Sequence, residues 1–167
     1  MPGSAQKSAR LSSEARQEID HWLTKFPEAQ RQSAVIAALT AVQEHGEGWL
    51  SNEQMDAVAD YLGMPRIAVY EVASFYSMFH TEPVGRHKIS VCNNISCMLC
   101  GGDEIIGHIE RKLGIETGET TDDKRITLVR EEECLAACCG APMMVVDGHY
   151  HEKLTPEKVD SIIDGLE

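Results

Sequence analysis

The sequence is short of basic charge: 15 Lys and Arg stand against 27 Asp and Glu, a formal net charge of −12. No basic stripe is available to neutralise phosphates, which argues against nucleic-acid binding. An acidic surface instead aids solubility or meets a basic protein partner. Long apolar runs are also lacking, and none reaches the roughly 18 residues of a membrane span. Met1 to Arg10 has no apolar core of the kind a secretory signal carries. These two absences place the chain in the cytosol, where thiols stay reduced and clustered cysteines favour metal or redox chemistry. No Gly-x-Gly-x-x-Gly follows a predicted strand, and Gly101-Gly102 is too short to replace it, so the chain is not expected to bind a nucleotide by itself. Cysteine is missing from the whole front half: none precedes Cys92 and none follows Cys139.

The chain has 167 residues, 43% of them hydrophobic, enough for a packed core and an accessory segment. Residues 1–11, rich in Ser, Gly and Ala, read as a disordered tail. Residues 12–82 read as a segment of four helices. In the first, Ile19, Trp22, Leu23 and Phe26 form a stripe after the capping serines Ser12 and Ser13. Pro27 opens a second, with Val35, Ile36, Leu39 and Val42 inward and Gly46 as its stop. Ser51 and Gln54 make a capping box for the third, whose stripe is Met55, Val58, Ala59 and Leu62 before Gly63. Pro65 starts the fourth, carrying Val72, Phe75, Tyr76 and Phe79 as core or as a partner-facing surface.

Residues 83–167 read differently. Lys88 to Cys92 and Ile126 to Val129 alternate like strands. Between them Asp103 opens a helix with Ile105, Ile109 and Leu113 on one face, stopped at Gly114 with Ile115 folding back. Met143 to Val146 and His149 to Lys153 flank the turn signal Asp147-Gly148. Thr155-Pro156 caps a last helix with Val159, Ile162, Ile163 and Leu166 inward. The order βαβ then ββα is that of an α/β, thioredoxin-like domain, its first two strands parallel.

Parallel strands end on one sheet edge, where open α/β sheets bind ligands. Cys92 ends the first strand and Cys134 follows the second, so the clumps Cys92, Cys97, Cys100 and Cys134, Cys138, Cys139 are expected to share one site. Three assignments compete. Cys92, Cys97, Cys100 and Cys134 have plant-type ferredoxin spacing, but that fold has a different strand order. Cys97-x2-Cys100, between a strand and a helix, suits a redox dithiol. Two cysteines from each clump, Cys92 and Cys97 with Cys134 and Cys138, suit a metal pair held by two short loops. Four-thiolate zinc also stays open. Cys138 and Cys139 are adjacent and aim apart, so they are not expected to be ligands together. Backbone amides of 93–96 and 135–137 are candidate donors to the site. Ser96 reads as a turn cap before a donor to sulfur. Glu131, Glu132 and Glu133 read as a solvated charge run. His87 and His108 are not needed beside four cysteines, and His149 and His151 share a solvated hairpin face.

The segments Val91-Cys-Asn-Asn-Ile-Ser-Cys-Met-Leu-Cys-Gly-Gly102, Glu133-Cys-Leu-Ala-Ala-Cys-Cys-Gly-Ala-Pro-Met-Met144 and Val72-Ala-Ser-Phe-Tyr-Ser-Met-Phe79 closely resemble one family. It is the 24-kDa-type 2Fe–2S subunit of NADH:quinone oxidoreductase (respiratory complex I), known in bacteria as the E subunit. The resemblance covers nearly the whole chain past residue 12. It implies a thioredoxin-like 2Fe–2S ferredoxin domain behind a helical extension. It also implies one 2Fe–2S cluster on Cys92, Cys97, Cys134 and Cys138, with Cys100 and Cys139 as bystanders. It implies an electron-transfer subunit, not catalytic alone, beside a flavoprotein subunit that binds FMN and NADH. Such a subunit sits in the peripheral arm on the cytoplasmic side of the inner membrane, without entering it. NAD-linked hydrogenases and formate dehydrogenases use the same domain, and a free thioredoxin-like ferredoxin or dithiol reductase is the remaining alternative.

Overall fold

A computed structural model describes residues 11–129 and 134–167. Backbone contacts divide the chain into two compact units, Met1–Pro83 and Val84–Glu167.

The first unit is helical. Helix α1 (Ser13–Leu23) starts at Ser12, whose hydroxyl accepts from the Ala15 N–H at 3.1 Å. Helix α3 (Asn52–Leu62) follows a closed capping box: the Gln54 N–H donates to Ser51 Oγ and the Ser51 N–H to Gln54 Oε1. It ends on Gly63 at φ +69°, a left-handed position that glycine fills without strain. Helices α2 (Val35–Glu44) and α4 (Arg66–Phe75) complete the set. Ile19, Leu39, Leu50, Met55 and Val58 form the fully buried centre.

Several expectations need correcting here. Leu11 is packed into this core, so the tail assignment does not extend to it. Pro27 opens a 3-10 run, Glu28–Ala34, and the α-helix begins only at Val35. The run Glu-Ala-Gln-Arg-Gln-Ser-Ala has no apolar stripe to bury, so little holds it in α geometry. Ile36 is exposed. Helix α4 stops at Phe75 and Tyr76 turns extended, with ψ 123°. The four-residue spacing therefore breaks: Phe79 is buried, whereas Phe75 is 79% exposed and stacks edge-on against Tyr76.

The second unit is built on a four-stranded sheet of order β2-β1-β3-β4. Strand β1 (His87–Val91) runs parallel to β2 (Ile126–Leu128) and antiparallel to β3 (Met144–Val146), which pairs antiparallel with β4 (His149–His151). Between β1 and β2 lie a one-turn helix α5 (Ile95–Leu99) and helix α6 (Gly102–Leu113). Helix α7 (Pro156–Asp164) closes the chain, capped by Thr155. Ile89, Ile105, Ile109, Leu128, Met144, Val159 and Ile163 make a second core. The α/β thioredoxin-like 2Fe–2S ferredoxin fold is the one expected. Strand β1 is shifted by one residue, the other three strands are shorter than expected, α5 is an addition, and α6 starts after Gly101 at φ +90° in place of Asp103. Gly114, at φ +68°, ends α6. Among the described residues no helix is long and apolar enough to cross a membrane.

Candidate metal centre

The parallel pairing of β1 and β2 brings the two cysteine loops to one sheet edge. Cys92 follows β1 directly, and its backbone N–H donates to the Met143 carbonyl at 3.2 Å. Cys97 lies in α5, which begins at Asn94, whose side chain accepts from the Ile95 N–H. The cap of this turn is thus Asn94, one of the donors foreseen only as a backbone amide, and Ser96 lies inside the helix. That single turn points Cys97 inward while Met98 and Leu99 stay outside. Cys92 and Cys97 are both buried, packed with Met143 and flanked by Leu135 and Ala137. Cys134 and Cys138 are exposed, as are Cys100 and Cys139.

The sulfurs are neighbours. Cys92 interacts with the thiols of Cys97 and Cys134, and Cys97 faces Cys92 and Cys138. Cys92 is thus linked to a thiol of each loop, and Cys97 senses the charge of Cys138 in the second loop. Among the described residues no three Cys, His, Asp or Glu side chains gather as a metal-holding group. Two thiols from each of two loops can hold a two-metal core, the arrangement expected of the third assignment.

Backbone amides supply the positive field. Burial pushes the Cys92 thiol up, but the N–H groups of Leu135 and Asn94, with the Cys97 and Cys134 thiols, outweigh it and hold the thiol below its usual range. Burial pushes Cys97 up to about 11, assisted by the neighbouring Cys92, while the Met143 N–H works against the rise. A third amide, Ala136 N–H, reaches Cys134 Sγ at 3.4 Å from a residue at φ +59°. Asn94, Leu135 and Ala136 lie in the stretches expected to donate. Met143 was missed: its role depends on β3 lying against β1, which no local pattern reveals.

Other candidates find less support. A dithiol nucleophile needs an accessible thiol of lowered pKa, and Cys97 is buried with its pKa raised. His87 pairs with Asp147 at 2.6 Å and the Glu167 carbonyl at 2.9 Å, and His108 with Asp160 at 2.8 Å. His149 is exposed on β4, as expected of a solvated hairpin, whereas His151 is half-buried, against that expectation. Glu131, Glu132 and Glu133 lie outside the described residues.

Glycine lets the backbone close around the thiols. A Cβ on Gly102 would sit 2.9 Å from the Cys97 carbonyl carbon and oxygen and 3.3 Å from the Cys92 oxygen. Gly140 ends the turn Cys138–Gly140 and its carbonyl accepts from the Lys153 N–H at 2.6 Å, fixing the second loop to the end of the hairpin.

The family model for the thioredoxin-like 2Fe–2S ferredoxin matches residues 19–167. The chain belongs to this family. Among curated relatives of this ferredoxin, the second E subunit of NADH-quinone oxidoreductase from Rhizobium meliloti (strain 1021) is 43% identical over 152 residues, 90% of this chain and 88% of its own. NADH dehydrogenase (ubiquinone) flavoprotein 2, mitochondrial, of Dictyostelium discoideum is 42% identical over 148 residues, covering 89% of this chain and 60% of its own. Among solved structures, a chain of the air-oxidised NAD+-reducing NiFe hydrogenase superposes with a TM-score of 0.68 at 20% identity. That match covers 80% of this ferredoxin and 22% of the hydrogenase chain, and it shows a shared fold.

Proposed function

We propose that this ferredoxin holds one 2Fe–2S cluster on Cys92, Cys97, Cys134 and Cys138 and serves as the 24-kDa-type electron-transfer subunit of NADH:quinone oxidoreductase. The observation that supports the ligand set is the interaction of Cys92 and Cys97 with thiols of the second loop, with amides of Asn94, Leu135, Ala136 and Met143 turned toward them. Donor chemistry fits: soft thiolates in a partly dry site bind iron–sulfur cores. When bound, the cluster supplies a one-electron redox centre. The chain's own part is to hold the thiolates, offset their charge with N–H groups and keep water from Cys92 and Cys97. The naming of relatives above 40% identity over most of the chain supports complex I over the hydrogenase reading.

FMN and NAD belong to the partner in this reading. A flavoprotein subunit takes the hydride and this chain exchanges single electrons with it. The assembly places it peripherally on the cytoplasmic side of the inner membrane. Iron and sulfide analysis of anaerobically purified chain tests the cluster, with about two irons per chain expected. Zinc in place of iron, or a colourless protein, ends the proposal. Reduction by NADH only when the flavoprotein subunit is added tests the role.

A further inference from the structure

The second cysteine loop is held from outside by the end of the hairpin. The Lys153 N–H donates to the Gly140 carbonyl at 2.6 Å, and the Leu154 N–H to the Pro142 carbonyl at 2.9 Å. Lys153 adopts φ +48°, a left-handed conformation that residues other than glycine seldom take. These contacts bring Glu152 over the loop. Its carboxyl group fills the space that a Cβ on Gly140 would need. A side chain at 140 and this carboxyl group cannot share that space, so glycine here makes room for a charge.

That charge lies near the thiols. With Cα atoms about 3.8 Å apart along the chain, the carboxylate is at most about 12 Å from the Cα of Cys138. The Debye length is about 10 Å at 0.1 M salt and about 30 Å at 0.01 M, so its field reaches the site and weakens as salt is added. Opposing charge is close but does not cancel it. Lys158 Nζ, from α7, donates to the Glu152 carbonyl and not to its carboxylate. Among the described residues no cation is paired with that carboxylate. Lys153, His149 and His151 are the remaining basic groups of the hairpin end.

We propose that Glu152 is a tuning residue, a fixed negative charge over the second cysteine loop that lowers the reduction potential of the centre held by Cys92, Cys97, Cys134 and Cys138. This role rests on the electron-transfer reading above. Four thiolates already make the site anionic, and an arriving electron adds to that charge. The Glu152 carboxylate opposes the electron, whereas the N–H groups of Asn94, Leu135, Ala136 and Met143 favour it. Gly140 shifts the balance by admitting the carboxylate. A lowered potential makes an electron held there easier to give up.

Iron-loaded chain and its variants are titrated anaerobically with redox mediators, and the reduced signal is read by paramagnetic resonance at about 0.01 M and about 0.15 M ionic strength. Glu152→Gln keeps the shape and removes the charge. At low salt it is expected to raise the ratio of reduced to oxidised centre about threefold at a fixed potential, an upward midpoint shift of about 30 mV. Glu152→Asp keeps the charge and is expected to stay within about 1.5-fold, or about 10 mV, of the unsubstituted chain. The Glu152→Gln shift should shrink at the higher salt. Glu152→Ser is titrated in parallel, so that poor loading of one uncharged variant leaves the other to decide. An unchanged midpoint in the loaded uncharged variants overturns the tuning role and leaves the electron-transfer reading standing. An equal shift in Glu152→Asp, or loss of iron from both uncharged variants, overturns it in favour of a packing role. An unsubstituted chain that binds no iron overturns the electron-transfer reading and the tuning role together.

Discussion

Cys92 and Cys97 act as one acid. Cys92 releases its proton first, because two backbone N–H groups stabilise its thiolate, and Cys97 then stays protonated beside it. Metal binding must strip that last proton, so loading becomes easier as pH rises. Cys97→Ala is expected to abolish the low-temperature paramagnetic resonance signal of the reduced protein, whereas Cys100→Ala and Cys139→Ala retain it. Loss of the signal in Cys100→Ala would revive the plant-type ligand set. Gly102→Ala forces a methyl against the Cys97 backbone, at an expected cost of about 1–3 kcal/mol. Its thermal melting point should fall and its iron content with it; an unchanged melt would mean that the turn relaxes freely. At this scale strand order was enough to bring the two cysteine loops to one sheet edge, whereas the choice of four thiols among six came from the family resemblance. The sequence was silent on Met143, whose N–H reaches Cys97 only through tertiary packing.

Elements were legible wherever a period or a cap was strong. The Ser51–Gln54 box, the Gly63 and Gly114 stops and the Thr155-Pro156 start all stand where local chemistry places them. Two start signals misled, since Asp103 lies inside α6 and Pro27 opens a 3-10 run, and the other misreadings fall where no such signal existed. Residues 28–34 have polar content without a stripe, and Phe75 to Phe79 kept an apparent spacing after the helix had ended. Helix α5 was missed because five residues are too few to show a period. Ser51→Ala is expected to cost about 1 kcal/mol by leaving helix-end N–H groups unpaired, read as a lower urea midpoint by circular dichroism. At the far end of the sheet, His87 joins β1 to the hairpin and to the C-terminal residue. The Asp147 carboxylate, then the Glu167 carbonyl, raise its pKa above 6.5. The protonated ring therefore contributes stability that is full below about 6.5 and is lost as pH climbs through the raised value. Urea midpoints should fall from pH 6 to pH 8 by a component that His87→Asn removes. His151 works in the opposite sense, since burial and then Lys158 and His149 lower its pKa. An identical pH profile in His87→Asn would assign the whole slope to other groups.

Across the whole molecule the charge of −12 outweighs any single pair. Most of the ion pairs are partly solvated, such as Arg66–Asp56 at 2.9 Å, and each contributes little. Self-repulsion should dominate, so raising ionic strength from about 0.01 M to about 0.15 M is expected to raise the melting temperature. A fall would show that attractive pairs prevail. Met143 has one more consequence. Its carbonyl receives the Cys92 N–H and its own N–H turns to the Cys97 thiol. The earlier pair of donors therefore cannot take its final form until a residue beyond the later pair has been made. Chains grow from the N-terminus, so a ribosome that has released Cys92 and Cys97 has produced only loose thiols. In the proposed reading, iron loading therefore belongs to the finished polypeptide, and a chain truncated before Met143 would carry Cys92, Cys97, Cys134 and Cys138 without the backbone groups of Met143 that fix the first two.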